Sequence, residues 1–341
     1  IDSDDVDVDD SASPLITEIR TGSTEGSGTT GTLGQALTGT YGQLTLNSNG
    51  SYTYVANQDA ANVLDAGDSV VDYFNYQVRT QFFSGRMIGS QFDRAVIAIT
   101  VNGVNDAPVA ANDTNSVSEG GTVTVTDGSS DIIDDNDTDS DASASLVVSA
   151  IRLGNSEGSG TAGTVGSALT GTYGQLTLNA NGSYTYVANT SAANALDAGD
   201  TVYDYFNYTL SDGTATDTAT ITITVTGVDD DITAVDDYDT ATEGFTRSRD
   251  AGTSYDIDSD DTDPDDSSSQ TITAIRLGNT EGSGAAGTIG QPLTSTYGQF
   301  TLNANGSYSY AANQDATNIL DHGDYVYDYF NYTVTSGSQT D

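Results

Sequence analysis

The stretch Gln175-Leu176-Thr177-Leu178-Asn179-Ala180-Asn181-Gly182-Ser183-Tyr184-Thr185-Tyr186 reads as two strands and a turn. Leu176 and Leu178 alternate with polar neighbours, and so do Tyr184 and Tyr186. A period of two is that of a half-buried strand. Asn181-Gly182 between two such runs is a strong hairpin signal, because both central residues of a type I′ turn need positive φ. The same text stands around Asn49-Gly50 and Asn305-Gly306.

Working outward, everything near this hairpin occurs three times. Ala-Ile-Arg-Leu-Gly-Asn at 150–155 returns at 274–279, with the variant Glu-Ile-Arg-Thr-Gly-Ser at 18–23. Asp-Tyr-Phe-Asn-Tyr stands at 72–76, 204–208 and 328–332. A repeat this long is a whole domain rather than a solenoid turn. In the middle copy Phe206, Tyr208 and Leu210 share one strand face, and Ala219, Ile221, Ile223 and Val225 alternate with threonines beyond a turn at Ser211-Asp212-Gly213. One short helical turn is expected over Ser191–Leu196. Short strands punctuated by Gly and Asn predict an all-β chain of tandem Ig-like sandwiches with Greek-key connections, in a linear array.

The expected units are 1–105, 106–229 and 230–341. Ile1 aligns with Ile133 and Ile257, so the first unit is expected to lack its opening strand. The third stops before the strand equivalent to 219–226 and is expected to lack its last. The chain begins without Met, partway through a repeat, and reads as a piece of something longer.

Composition narrows the function. Of 341 residues, 50 are acidic and 8 are arginines, with no lysine, for a formal charge of −42. Phosphate binding needs a basic face, so nucleic acid is excluded as a partner. An anionic membrane surface is disfavoured, and no apolar run is long enough to span a bilayer. Such self-repulsion works against a compact state unless cations neutralise it. The absence of cysteine fits a reduced compartment or an exported chain stabilised by metal. One His, His322, and no Cys leave no way to build a nucleophilic triad. The chain is therefore expected not to be an enzyme. Glu157–Gly163 is glycine-rich but lacks the lysine and helix of a phosphate loop, and is expected to be a flexible surface loop. Arg20, Arg152 and Arg276 hold one repeat position, read as a structural pairing with a carboxylate or a strand end.

The carboxylates are clustered. One run is Asp2, Asp4, Asp5, Asp7, Asp9 and Asp10; its equivalents are Asp134, Asp135, Asp137, Asp139 and Asp141, and Asp258, Asp260, Asp261, Asp263, Asp265 and Asp266. Alternate aspartates in a loop can converge on one point, and hard cations such as Ca²⁺ take six to eight oxygens. A second group is the pair Asp65 and Asp68, repeated as Asp197 and Asp200 and as Asp321 and Asp324. A third is the boundary itself, Asn105-Asp106 and Asp229-Asp230-Asp231, and a fourth is Glu119 or Glu243 just after it.

Several segments, taken in order, resemble the VCBS and cadherin-like repeats of large RTX-type bacterial adhesins. They are Gly103-Val104-Asn105-Asp106-Ala107-Pro108, Asn136-Asp137-Thr138-Asp139-Ser140-Asp141, Leu196-Asp197-Ala198-Gly199-Asp200, Tyr205-Phe206-Asn207-Tyr208 and Ile221-Thr222-Ile223-Thr224-Val225. The resemblance covers essentially the whole chain. It implies Ca²⁺ at the joints between consecutive domains. Carried onto this chain, the first joint would use Asp65, Asp68, Asn105, Asp106, Asp137 and Asp139. The second would use Glu119, Asp197, Asp200, Asp229, Asp230, Asp261 and Asp263. Asp141 and Asp265 complete the two aspartate runs as candidates, and an alternative has Asp137, Asp139 and Asp141 binding Ca²⁺ inside their own domain. The second joint departs from the pattern, having Asp229-Asp230-Asp231-Ile232 where Asn-Asp-Ala-Pro is expected.

The expected function is mechanical: a calcium-stiffened extracellular segment of a bacterial surface adhesin or matrix fibre, giving extension and biofilm cohesion. Its expected partners are neighbouring repeats or identical subunits. Two rivals remain open. The first unit carries an insertion over 80–92, with Phe82, Phe83, Met87 and Phe92, that could bind a glycan or surface protein. Alternatively, the missing strands could be supplied by neighbouring subunits in a polymer.

Overall fold

The computed structural model describes residues 14–84, 87–128, 131–254, 256–265 and 270–341, with side chains described throughout these except at 82–88. The run Asp2 to Asp10, and Asp266, lie outside the described residues. Six sheets fall into three facing pairs. Among the described residues the two helices are short, Asp59–Asn62 and Ile132–Asn136.

The middle pair is the most complete. One sheet orders its strands Thr161–Ala162, Val147–Leu153, Thr201–Ser211, Thr216–Thr226 and Asp113–Ser118. The other orders Leu169–Thr170, Gln175–Leu178, Tyr184–Val187 and Thr122–Val125. The chain crosses between sheets after Thr122–Val125, and Asp113–Ser118 pairs in parallel with Thr216–Thr226 while the other ladders are antiparallel. This is an Ig-like sandwich of the kind the alternation predicts. Leu176, Leu178 and Tyr186 face Ile151, Phe206, Tyr208, Ile221 and Ile223 across the core. Tyr186 and Phe206 meet edge-on at 6.3 Å between ring centroids.

The flanking pairs repeat this plan with fewer strands. In the first, Leu15–Thr21, Ser69–Ser84 and Met87–Asn102 form one sheet, facing Ala36–Thr38, Gln43–Leu46 and Tyr52–Val55. Tyr52 is 47% exposed, against 5% for its counterpart Tyr184, which is covered by Thr122–Val125. The insertion over 80–92 lengthens two strands: their ladder runs from Ser69↔Asn102 to Ser84↔Met87. In the third pair, Thr271–Leu277, Phe330–Ser336 and Gln339–Thr340 face the sheet of Thr246–Arg249, Tyr308–Ala311, Gln299–Leu302 and Leu293–Thr294.

Two local details differ from the sequence reading. The hairpins stand where Asn-Gly places them, but the turn is another kind. Gly182 N donates to Asn179 O (3.1 Å), and Asn179 N donates to Ser183 O (2.9 Å). That is a type I turn closed by a left-handed glycine, here with φ of 86°. Asn181 Oδ1 accepts from the Ser183 hydroxyl at 2.8 Å, so the amide holds the turn through its side chain. Ser191–Leu196 makes the expected single helical turn, in which Asn194 N donates to Thr190 O. The glycine-rich loop is laced rather than loose. Asn207, 1% exposed, takes Gly158 N on its Oδ1 and donates to Gly154 O and Ser159 O. Asn75 and Asn331 do the same in the other copies. The repeated arginines reach the same loops, donating to Gly28 O, Gly160 O and Gly284 O.

The aspartate of Asp-Tyr-Phe-Asn-Tyr is a second lock. Asp204 is 2% exposed, yet it accepts from Thr172 N (2.8 Å), Tyr173 N (3.0 Å), Gly174 N (2.9 Å) and the Tyr186 hydroxyl (2.6 Å). It ties the turn of one sheet to a strand of the other. A Cβ on Gly171 would stand 2.5 Å from this carboxylate; in the third copy Ser295 takes the place of the glycine, and its hydroxyl bonds Asp328. Replacing Asp204 by alanine strands three backbone donors and a buried hydroxyl. Asp204→Ala should cost about 3 kcal/mol, read as an earlier urea transition in saturating calcium; a loss below about 1 kcal/mol would contradict this role.

Candidate metal centre

The second joint assembles from four segments. Glu119 directly follows the parallel strand Asp113–Ser118, and its backbone N–H bonds Thr226 O at 2.9 Å. This folds the side chain under the linker, where Oε1 accepts from Val228 N at 2.5 Å. Glu119 is 6% exposed. Beyond the linker, Asp265 reaches back and accepts from Asp230 N at 3.1 Å, and Asp263 accepts from Asp265 N at 3.1 Å. Carboxylate oxygens of Glu119, Asp230 and Asp265 come within 4.8 Å of one another. Asp197, on the Leu-Asp-Ala-Gly-Asp turn that Asp200 N closes on Asp197 O, lies near enough for its charge to bear on Asp265.

Each of these four carboxylates has one oxygen that is buried and has no hydrogen-bond donor: Glu119 Oε2, Asp197 Oδ1, Asp230 Oδ2 and Asp265 Oδ1. Buried polar atoms are ordinarily paired, and those left unpaired call for an ion, a water or strain. At an effective dielectric constant of about 20, a pair of carboxylates at this spacing repels by roughly 3 kcal/mol. The acid constants respond accordingly. Burial, and then the charges of Asp230 and Asp265, push the Glu119 carboxyl above its ordinary range. Burial and Asp263 do so for Asp230. Burial, with Asp263, Asp230 and Asp197, does so for Asp265. An oxygen-only donor set of this kind suits a hard divalent cation such as Ca²⁺, not Zn²⁺ or copper.

The first joint repeats part of this design. Asp141 accepts from Asp106 N at 3.1 Å, and Asp139 accepts from Asp141 N at 2.9 Å. Asp139 Oδ2 and Asp141 Oδ1 are again buried without donors. Burial and the charges of Asp139, Asp106 and Asp65 raise Asp141. Asp65 crosses the joint to the Ser143 hydroxyl and its N–H (3.2 Å).

Other candidates stand elsewhere. Asn105 donates to Asp212 Oδ2 at 3.0 Å, and Asp229 accepts from Ser338, so these linker residues grip the hairpin turn of the following unit. Asp68 turns back to accept from Asp65 N (3.3 Å), and Asp200 is exposed. Asp137 and Asp261 do not join Asp139 and Asp263. Each faces into its own sandwich, accepting from Ala111 N or Val235 N at 2.7 Å and from the hydroxyl of Tyr208 or Tyr332. Before Asp137, Asp131 caps Ile132–Asn136 by accepting from Ile133 N and Asp134 N, which alternation could not show; Asp261 takes the same orientation with no helix among the described residues before it. Asp113 and Asp237, which meet Asp137 and Asp261, were missed; their identical offset from those aspartates in both copies was the available signal.

Residues 105–227 match the bacterial cadherin-like domain family, and this is the stretch that holds the middle sandwich. A search of curated protein sequences finds no match. Among solved structures the chain is similar to Drosophila N-cadherin EC1-4, at 11% identity and a TM-score of 0.30, over 87% of this chain and 63% of that one. It is similar to mouse clustered PcdhgC3 EC1-3 at 13% identity and 0.35, over 95% and 89%. It is also similar to the endo-fucoidan hydrolase MfFcnA4_H294Q from glycoside hydrolase family 107, at 12% and 0.26, over 96% of this chain but 38% of the hydrolase.

Raised acid constants give the cation-free chain a definite pH response. Between the ordinary carboxylate range and the raised values, the folded chain holds more protons than the unfolded one, so stability falls as pH rises through that window. Asp113 and Asp237, each pushed up to about 7 chiefly by burial, extend the window to neutrality. In chelator, thermal unfolding should come at higher temperature near about pH 5.5 than near about pH 7.5, with calcium narrowing the difference. A chelated chain that gains stability throughout this rise in pH would refute the assignment.

Proposed function

We propose that this chain is a calcium-stiffened segment of an extracellular bacterial adhesin or matrix fibre, whose work is extension and cohesion rather than catalysis. Its sandwich fold and the cadherin-like match over 105–227 support an adhesion-type β-module. The observation that carries the calcium reading is the set of four donorless, buried carboxylate oxygens at the second joint. Two of them, on Glu119 and Asp197, precede the linker; one lies on linker residue Asp230, and one follows on Asp265. An ion bridging these oxygens ties the two sandwiches to each other. Without it, the carboxylates repel across the linker, and the linker becomes a hinge. The domain limits proposed are 1–105, 106–229 and 230–341, and the partners proposed are neighbouring repeats or like chains.

The test is shape. In calcium, small-angle X-ray scattering should report an extended particle of fixed maximum dimension; in chelator, a broadened distribution. Glu119→Gln/Asp230→Asn should resemble the chelated parent at the second joint even in calcium. Scattering unchanged by both chelation and this double substitution would end the stiffening account.

A further inference from the structure

Each linker meets a turn of the sandwich that follows it, and the two joints make that meeting with opposite chemistry. In the middle unit the turn joins Thr201–Ser211 to Thr216–Thr226. Asp212 Oδ1 accepts from Thr214 N and Ala215 N, each at 2.6 Å, and Oδ2 accepts from the Asn105 amide at 3.0 Å. These donors, Ala215 N foremost, hold the Asp212 carboxyl below its ordinary range. In the third unit the turn joins Phe330–Ser336 to Gln339–Thr340. There Ser336 stands where Asp212 does, and Asp229 stands where Asn105 does, at the same separation in sequence.

The carboxylate has changed sides. Asp229 Oδ2 accepts from Ser338 N at 3.3 Å and from the Ser338 hydroxyl, and Ser338 holds the place of Thr214. Asp229 O also accepts from the Gln339 amide at 3.3 Å. A Cβ on Gly337 would lie 2.8 Å from Asp229 Oδ1, so the linker packs directly on the turn. At both joints the N–H of residue 214 or 338 is thus held by one carboxylate, supplied by the turn in one case and by the linker in the other. The residue in the remaining place, Asn105 or Ser336, is uncharged.

The next linker residue serves the joint: Asp106 N donates to Asp141, and Asp230 N to Asp265. On the other side, Gly103 N and Gly227 N bond Asp68 O and Asp200 O of the preceding unit, each at 3.0 Å. One residue, Val104 or Val228, stands between the two attachments.

We propose that Asn105 with Asp212, and Asp229 with Ser338, are cation-free latches that fix each linker to the following sandwich and confine articulation of the joint to Val104 and Val228. Asn105 and Asp229, which the resemblance offers as cation ligands, are positioning residues. A second carboxylate in the facing place would repel the first, and none would leave the turn N–H without its acceptor. The latch does not rest on the calcium reading, because its carboxylate oxygens are not among the donorless ones.

Hydrogen exchange on the full chain, read by mass spectrometry in calcium and in chelator, tests this. Asn105→Asp sets two carboxylates face to face and should speed exchange over 103–107 and 212–215 by roughly fivefold or more. Adding Asp212→Ser rebuilds the second joint's arrangement at the first and should return exchange to the parent's rate. At the second joint, Asp229→Asn should speed exchange over 336–339, and Ser336→Asp in that background should restore it. A residue needed only for turn stability would give damage that adds, where the latch gives rescue. The same pattern is expected in chelator. Exchange unchanged by Asn105→Asp, double variants worse than the single ones, or a coupling that disappears in chelator overturns the proposal; the last would make these residues cation ligands. Failure of the calcium reading would leave both rescues in place, so the two accounts fall separately.

Discussion

Buried carboxylate oxygens without donors are what the joints turn on. Glu119 and Asp265 are almost wholly withdrawn from water, and each keeps one oxygen bonded to the backbone and one unpaired. Holding such oxygens together is unfavourable unless a positive charge stands among them. No lysine occurs in the chain, and among the described residues the arginine ion pairs are made with Glu18 and Asp239, so under the proposed reading that charge would come from solution. The backbone bonds set the geometry: Val228 N fixes Glu119, and Asp230 N fixes Asp265, so the segments on both sides of the linker meet with their free oxygens facing one another.

The sandwiches that carry these acids are tied internally by buried polar side chains. Asp204 and Asn207 stand in one strand and serve two purposes: the first ties the opposing sheet, the second pins the glycine-rich loop. Both are structural uses of polar residues, fully hydrogen-bonded within the core and therefore not in need of an ion. This separates them from the joint acids, which resemble them in burial but not in satisfaction. The same distinction sorts two acidic groups, one at the second joint and one in the middle unit. Asp131 has both oxygens occupied by backbone N–H groups, so its closeness to Asp127 and Asp134 reflects helix capping. Glu119, Asp230 and Asp265 retain free oxygens.

Much of the fold was legible in the sequence. Period-two alternation placed the strands, and Asn-Gly placed the hairpins, since a left-handed glycine is needed whichever turn forms. The turn type was not legible, because it depends on the Asn179–Ser183 bond and not on composition. For the site, recurrence identified the acidic segments, and resemblance suggested which would meet. What it could not decide was the direction of each aspartate in an alternating run. Asp137 and Asp139 are two residues apart and chemically identical, yet one faces Tyr208 and the other the linker. That choice goes with the backbone N–H of Ala111 and the tyrosine hydroxyl that Asp137 meets, both tertiary facts. Asp113 was passed over because it stands alone in the sequence and gains its acidic neighbours only on folding.

The most direct measurement is anomalous diffraction from crystals grown in calcium, collected where calcium scatters anomalously. A peak among Glu119, Asp230 and Asp265, about 2.3–2.6 Å from their free oxygens, is the result expected. Water or empty density there, with those carboxylates turned toward solvent, would contradict the account.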